Sequence, residues 1–219
     1  MSTFIEKPVN AQSLRQRKKA YGVGVNDADY MTQYRDENGK EVRCPYYSRW
    51  RDMLKRCYCT KRLEKYPTYK GCSVYEEWLT FSNFRKWMET QDWEGKQLDK
   101  DLLVRGNKVY SPDTCVFVSG SLNALTIDSG ATRGEYPQGV NWSEKEQGYV
   151  ARCSTGDGKR KYLGRFKTVD AAEAAYCNHK ALVIIGLANS EEVSHQHMLK
   201  QALLKEAVRL ENRATLLSM

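Results

Sequence analysis

Apolar residues first recur at helical spacing over residues 47–57. There Tyr47, Trp50, Leu54 and Cys57 alternate with Arg49, Arg51, Lys55 and Arg56. Pro45, tolerated in a first helical turn because its missing N–H would be unpaired there anyway, marks the start. A second stripe of Trp78, Phe81, Phe84, Trp87 and Met88 predicts a helix over 75–90 with those residues buried. Upstream, residues 30–42 read as a hairpin around Glu37-Asn38-Gly39, since Asn-Gly suits a type I′ turn. Tyr21-Gly-Val-Gly-Val25 reads as a strand edge or turn, not a phosphate loop, because no helix with Lys-Ser/Thr follows.

The pattern then shortens. The stretch from Gln97 up to Gly106 opens as a short strand whose alternation puts Asp99 and Asp101 on one face and Lys100 on the other. Gly106-Asn107-Lys108 and Ser111-Pro112-Asp113 read as turns. Cys115-Val-Phe-Val118 is a run of β-formers, and Ser119 caps a helix that carries Asn123. Residues 128–137 are small and polar with Gly and Pro, and form the best linker in the chain. Beyond it, short strands are expected at 139–142, 148–154 and 159–166. A helix over 169–187 follows, capped by Thr168 and rich in Ala, with its close near Gly186. A last helix over 190–217 carries Leu203, Leu210 and Leu217 seven apart. That stripe packs on its own chain or, as the alternative, forms a homodimer seam.

The expected organisation is α+β. It has a basic flexible arm at 1–20, a helical scaffold and strand–helix core over 21–127 and a linker at 128–137. A three-stranded antiparallel sheet with a helix covers 138–187, and a C-terminal helix covers 188–219.

Charge narrows the partner. Thirty-five Lys and Arg stand against 27 Asp and Glu, a net charge of +8, which favours a polyanion through counterion release. The 14 Tyr and 5 Trp add rings that stack on bases. Double-stranded DNA is the expected partner. No stretch approaches the ~20 apolar residues of a membrane span, and residues 1–19 lack an apolar signal core. A cytoplasmic place is therefore expected. Seven Cys at scattered spacings argue against a disulfide framework. Cys44, Cys57, Cys59 and Cys72 lack paired-knuckle spacing, so zinc is not expected.

An Asp and an Asn brought together supply hard oxygen donors, and Mg2+ or Mn2+ takes such donors with waters or phosphate oxygens. The segment Asp99-Lys100-Asp101, Gly106-Asn107-Lys108-Val109-Tyr110-Ser111-Pro112 and Asn123 resembles the ββα-metal core of phage-encoded HNH endonucleases. Trp50, Leu54, Arg56, Cys57, Gly71, Cys72, Glu77 and Trp78 extend the likeness over roughly residues 21–127. The resemblance implies a metal-dependent nicking or cleaving site, in a phage or mobile-element protein acting in its host cell. Asp99 and Asn123 would be its metal ligands and catalytic residues, and Lys100 stands where the family has its general-base His. The alternative is a DNA-binding protein, a repressor or interference factor, on a scaffold that no longer cleaves.

Gly139-Val-Asn-Trp142, Tyr149-Val-Ala-Arg152, Tyr162-Leu-Gly-Arg-Phe166 and Thr168 before Ala171-Ala172 and Ala174-Ala175-Tyr176 form a second pattern. It resembles the APETALA2-type DNA-binding domain over most of 138–185. That family implies a three-stranded sheet in the major groove with a helix behind it. Alternation puts Arg152 on a face with Val150 and Ser154, and Arg160 with Tyr162. Trp142, Arg152, Arg160, Lys161 and Tyr162 are the candidate DNA contacts.

Overall fold

A computed structural model of the chain describes residues 4–126 and 134–219, so most of the expected linker lies outside the described residues. The protein is mixed α+β and divides into two compact units. The first holds the described residues up to Asp101 together with Gly106–Phe117; the second holds Leu102–Arg105 and the described residues from Val118 onward. The division thus falls inside the 97–125 motif, earlier in the chain than the sequence suggests.

In the first unit the N-terminal segment is pinned, not a free arm. Helix α1 (Ala11–Arg15) is capped by Asn10, whose side chain accepts from the Ser13 N–H at 2.7 Å. Arg17 donates to three carbonyls, those of Asn26, Ala28 and Tyr30. Phe4 packs on Tyr30 and Tyr34, and Glu6 pairs with Arg85 at 2.8 Å. A charged fork that closes three backbone acceptors looks in sequence like any basic run.

Strands β1 (Gln33–Arg35) and β2 (Glu41–Arg43) form the expected hairpin. Its turn is not type I′, which needs two consecutive positive φ angles. Only Gly39 is left-handed, at φ 74°, and Asp36 organises the loop by accepting from the N–H groups of Asn38 and Lys40.

Helix α2 (Pro45–Tyr58) starts at its proline and buries Trp50, Met53, Leu54 and Cys57. A short α3 (Thr60–Lys65) and β3 (Ser73–Val74) follow. The helix expected over 75–90 is split in two. A 3-10 turn at Glu76–Leu79 gives way at Thr80 to α4 (Phe81–Glu89). Thr80 is extended because Val25 inserts there, donating to the Leu79 carbonyl and accepting from the Phe81 N–H. The indole of fully buried Trp50 donates to the Trp78 carbonyl at 2.7 Å, and the Trp78 and Trp87 rings sit 4.4 Å apart. Burial of such side chains contributes roughly 1.5–3 kcal/mol each, which sets α2 against α4 as a firm support. On that support lie β4 (Gln97–Asp99), β5 (Val109–Tyr110, parallel to β3) and β6 (Val116–Val118, paired with β4).

In the second unit, α5 (Gly120–Thr126) is capped by Ser119, whose hydroxyl accepts from the Leu122 N–H at 3.2 Å. Strands β7 (Val140–Ser143), β8 (Gly148–Ser154) and β9 (Arg160–Phe166) form an antiparallel sheet in the order β7-β8-β9. Helix α6 (Val169–Ala188) packs on it through Ala172 against Val140 and Ala151. Its N-cap is Thr168, as expected, and it runs through Gly186 to Asn189. The final helical segment breaks into α7 (Glu191–Ser194) and α8 (His197–Leu217). The α8 stripe buries Leu199, Leu203, Ala207, Leu210 and Ala214 within the chain, and Arg213 pairs with Glu173 of α6 at 3.1 Å. The residues a homodimer seam would use are thus largely occupied.

Gly139 is the tightest turn of this unit. Its φ is +79°, and a Cβ there would run into the Tyr176 ring and the Arg152 carbonyl. Gly139→Ala is expected to destabilise the unit by about 2 kcal/mol or more, from left-handed strain plus overpacking. Denaturant unfolding of the variant checks this; a cost near zero would contradict the packing described.

Candidate functional site

The motif begins where β4 ends. The Asp99 carboxylate accepts from the Asp101 N–H at 2.9 Å, an Asx turn that stops the strand at Asp99. Asp101 therefore leaves the strand and does not share a face with Asp99 by alternation, as the sequence suggested. Lys100 turns inward. It is 6% exposed, donates to the Asn107 carbonyl at 3.0 Å, and pairs with Asp101 at 3.1 Å.

Asn107 closes the same loop from the other side. Its amide donates to the carbonyls of Lys100 and Val109 at 2.6 and 2.7 Å, and its side-chain oxygen accepts from the Val109 N–H. Gly106 supplies the left-handed residue before it, at φ 76°. Arg56 of α2 reaches beneath this loop to the Leu98 carbonyl and the Tyr110 hydroxyl. Burial pushes the Tyr110 phenol far up, against the lowering effect of Arg56. Burial also pushes the Cys57 and Cys115 thiols up to about 12, which suits neutral packing groups. All seven cysteines are unpaired, and all but Cys59 are buried.

Asp99 belongs to the first unit; Asn123, on α5, belongs to the second. Their donors, one carboxylate and one amide oxygen, have the hard chemistry that Mg2+ or Mn2+ takes. Among the described residues no group of three or more His, Cys, Asp or Glu comes together to hold a metal ion. Lys100 is placed as an anchor for the 100–109 loop, with its ammonium protons directed at Asn107 and Asp101.

The sheet of the second unit resolves which side chains share a face. Cross-strand pairs are Asn141 with Val150, Trp142 with Tyr149, Arg152 with Tyr162, Ser154 with Arg160, and Cys153 with Lys161. Tyr149 packs beside Ala151 in the core against α6, and Trp142 meets Tyr149 edge-on at 5.1 Å. Trp142 is therefore on the α6 side. Lys161 is also there: its charge, after burial, holds the His179 imidazole of α6 below its usual value. The face away from α6 carries Asn141, Arg152, Ser154, Arg160 and Tyr162, with buried Val150 at its centre.

One residue joins that face unexpectedly. The register shifts between Ala151 and Arg152, so Leu163 is extra, and Val150 pairs with Arg165. Plain alternation from Arg160 would send Arg165 to the α6 side; the bulge returns it to the face of Tyr162. Gly164, at φ +131°, is the sequence signal for it. Arg165 braces the β7–β8 turn by donating to the carbonyls of Glu146 and Gln147, and the Tyr162 hydroxyl donates to Glu146 at 2.7 Å. The Arg152 guanidinium lies 6.0 Å from the Tyr162 ring. Among the described residues the side chains of Arg152 and Arg160 make no hydrogen bond or ion pair, and both are exposed. Two uncommitted guanidinium groups around a half-exposed tyrosine suit phosphate oxygens and base edges.

No helix among the described residues is long and apolar enough to cross a membrane. Compared with protein-family models, curated proteins and solved structures, the chain matches none of them.

Proposed function

We propose that this chain is a DNA endonuclease of the metal-dependent HNH type that grips double-stranded DNA through the β7-β8-β9 face. The observation that carries the DNA-binding half is the uncommitted pair Arg152 and Arg160 beside Tyr162 on one side of a thin sheet. Such a sheet fits a major groove, where guanidinium groups reach phosphates and base edges and a ring stacks or packs on a thymine methyl. The cleavage half rests on the sequence of the 97–125 motif, whose resemblance to the HNH core implies Asp99 and Asn123 as metal ligands. Those two residues would hold Mg2+ or Mn2+, which when bound polarises the scissile phosphate and offsets charge on the departing oxygen. Asn107 and Lys100 fix the loop that follows Asp99.

A second reading has one observation in its favour. Lys100, at the position where the HNH pattern has its base, is buried and already committed to Asn107 and Asp101. A protein that binds DNA without cleaving it would tolerate that arrangement.

Affinity for a short duplex, measured across salt concentrations, tests the shared part of both readings. With the arginines of the sheet on phosphates, log K is expected to fall linearly with log salt at a slope of roughly −2 to −3. A flat dependence would remove the electrostatic basis of the proposal.

A further inference from the structure

Residues 20–24 make a tight turn against α2. Ala20 and Gly24 pair across it, each N–H donating to the other's carbonyl, at 2.8 and 2.9 Å. Gly24 lies so close to the helix that a Cβ there would run into Trp50 and Leu54. Inside the turn Tyr21 is left-handed, at φ 51°, a conformation that strains a bulky residue. Its ring is thereby set beside Arg51 of α2. The Arg51 guanidinium lies 5.6 Å from the Tyr21 ring and 6.0 Å from the ring of Tyr47, one helical turn earlier.

Clamped between the two rings, Arg51 is uncommitted. Its Nε is buried with no partner, and among the described residues its side chain makes no hydrogen bond or ion pair. Its Nη groups are not buried, so they remain donors toward solvent. A buried donor left unpaired is costly, and so is a left-handed tyrosine. Both costs go into fixing one guanidinium with its outer donors open, which is preorganisation for an acceptor from outside the chain.

The surroundings are basic. Lys18 and Lys19 lead into the turn, and Arg17 anchors the backbone just before them. Lys55 lies one helical turn after Arg51, on the same face. All three lysines are exposed, and among the described residues their side chains make no hydrogen bond or ion pair. The nearby carboxylates are turned elsewhere. Glu41, whose carboxyl is held low by Arg43 first and by Arg35 and Arg51 after it, is paired with Arg43 at 2.9 Å. Asp52 lines a cleft with Arg49 and Arg56.

We propose that this surface, Arg51 in its tyrosine clamp with Lys18, Lys19 and Lys55 around it, is a second contact for the phosphate backbone of double-stranded DNA. It rests on the reading that DNA is the partner, and it gives the first unit a grip of its own, apart from the sheet of the second. A clamped guanidinium forks onto phosphate oxygens. Lysines spread along the turn and the helix suit successive phosphates of a strand. Such a contact reads no bases, so it holds any sequence alike.

The test is duplex affinity of the full chain across salt concentrations. Arg51→Met keeps bulk between the rings and removes both the charge and the unpaired Nε. It is expected to unfold at no lower temperature than wild type. It is expected to weaken binding about tenfold on unrelated duplexes alike, and to lower the slope of log K against log salt by about 1. Lys19→Met combined with Lys55→Met changes only exposed side chains. It is expected to lower the slope by about 2, out of a total to which the sheet arginines also contribute. Lys205→Met on α8, exposed and equally unpaired, is expected to leave the slope as it is. Unchanged slopes in both the Arg51 and the double lysine variant overturn the proposal. So does a loss in Lys205→Met equal to that in Arg51→Met, which would reflect net charge alone. If the Arg152 and Arg160 double variant binds weakly while these variants bind as wild type, the sheet reading stands and this proposal falls. Wild-type protein that binds no duplex ends both.

Discussion

Replacing Arg152 and Arg160 together by Ala is expected to weaken duplex binding by about 10²- to 10³-fold, while Lys161→Ala weakens it less than about tenfold. Guanidinium contacts to bases or phosphates are worth about 1–3 kcal/mol each, and about 1.4 kcal/mol is a factor of ten. The two arginines lie on the face away from α6, opposite Ser154 and Tyr162. Lys161 lies on the other side, opposite Cys153. Lys161→Ala removes the same unit charge as either arginine substitution, so long-range attraction falls alike and the difference reads which face touches DNA. Fluorescence anisotropy with a labelled duplex measures it. Equal losses at Arg152 and Lys161 would mean that DNA does not distinguish the faces.

The second large effect concerns cleavage. Asp99→Ala and Asn123→Ala are each expected to abolish metal-dependent cleavage while changing duplex affinity less than about threefold. Affinity belongs to the sheet, whereas Asp99 and Asn123 would hold the cation, and a site with one or two protein ligands has none to spare. Lys100→Met separates chemistry from support. From its place between Asn107 and Asp101, its loss leaves the Asn107 carbonyl without its donor and costs about 1–3 kcal/mol of stability. A rate lowered by about 10²-fold with stability unchanged would instead make Lys100 the proton acceptor. Single-turnover cleavage and denaturant unfolding of the same variants distinguish the outcomes.

Local chemistry made much of the fold legible. Pro45 and the Trp50, Leu54 and Cys57 spacing define α2 because a helix start and a buried stripe are both written in neighbouring residues. Thr168 likewise announces α6, and Ser119 announces α5. What escaped was set by distant partners. Thr80 interrupts an amphipathic stripe only because Val25 pairs across it. Residues 4–20 look like a loose basic tail until Arg17 finds the carbonyls of Asn26, Ala28 and Tyr30.

The candidate sites divide in the same way. Arg152, Arg160 and Tyr162 follow from period-two alternation, but Arg165 needs the extra residue at Leu163, of which Gly164 is the only local trace. Lys161 fell on the wrong side for the same reason a lone basic residue between two outward ones often does: its charge suggests solvent, and its register decides. Lys100 read as a reactive group because of its position in a motif; its burial depends on Asn107 and Asp101 folding over it.

The most direct measurement is incubation of the wild-type protein with supercoiled plasmid carrying its natural target, in Mg2+ or Mn2+ and with a chelator in parallel. Conversion to nicked or linear DNA that requires the cation is the result the account predicts. Plasmid that stays supercoiled with every divalent cation, while the protein still binds it, would contradict the endonuclease assignment and leave the DNA-binding reading in its place.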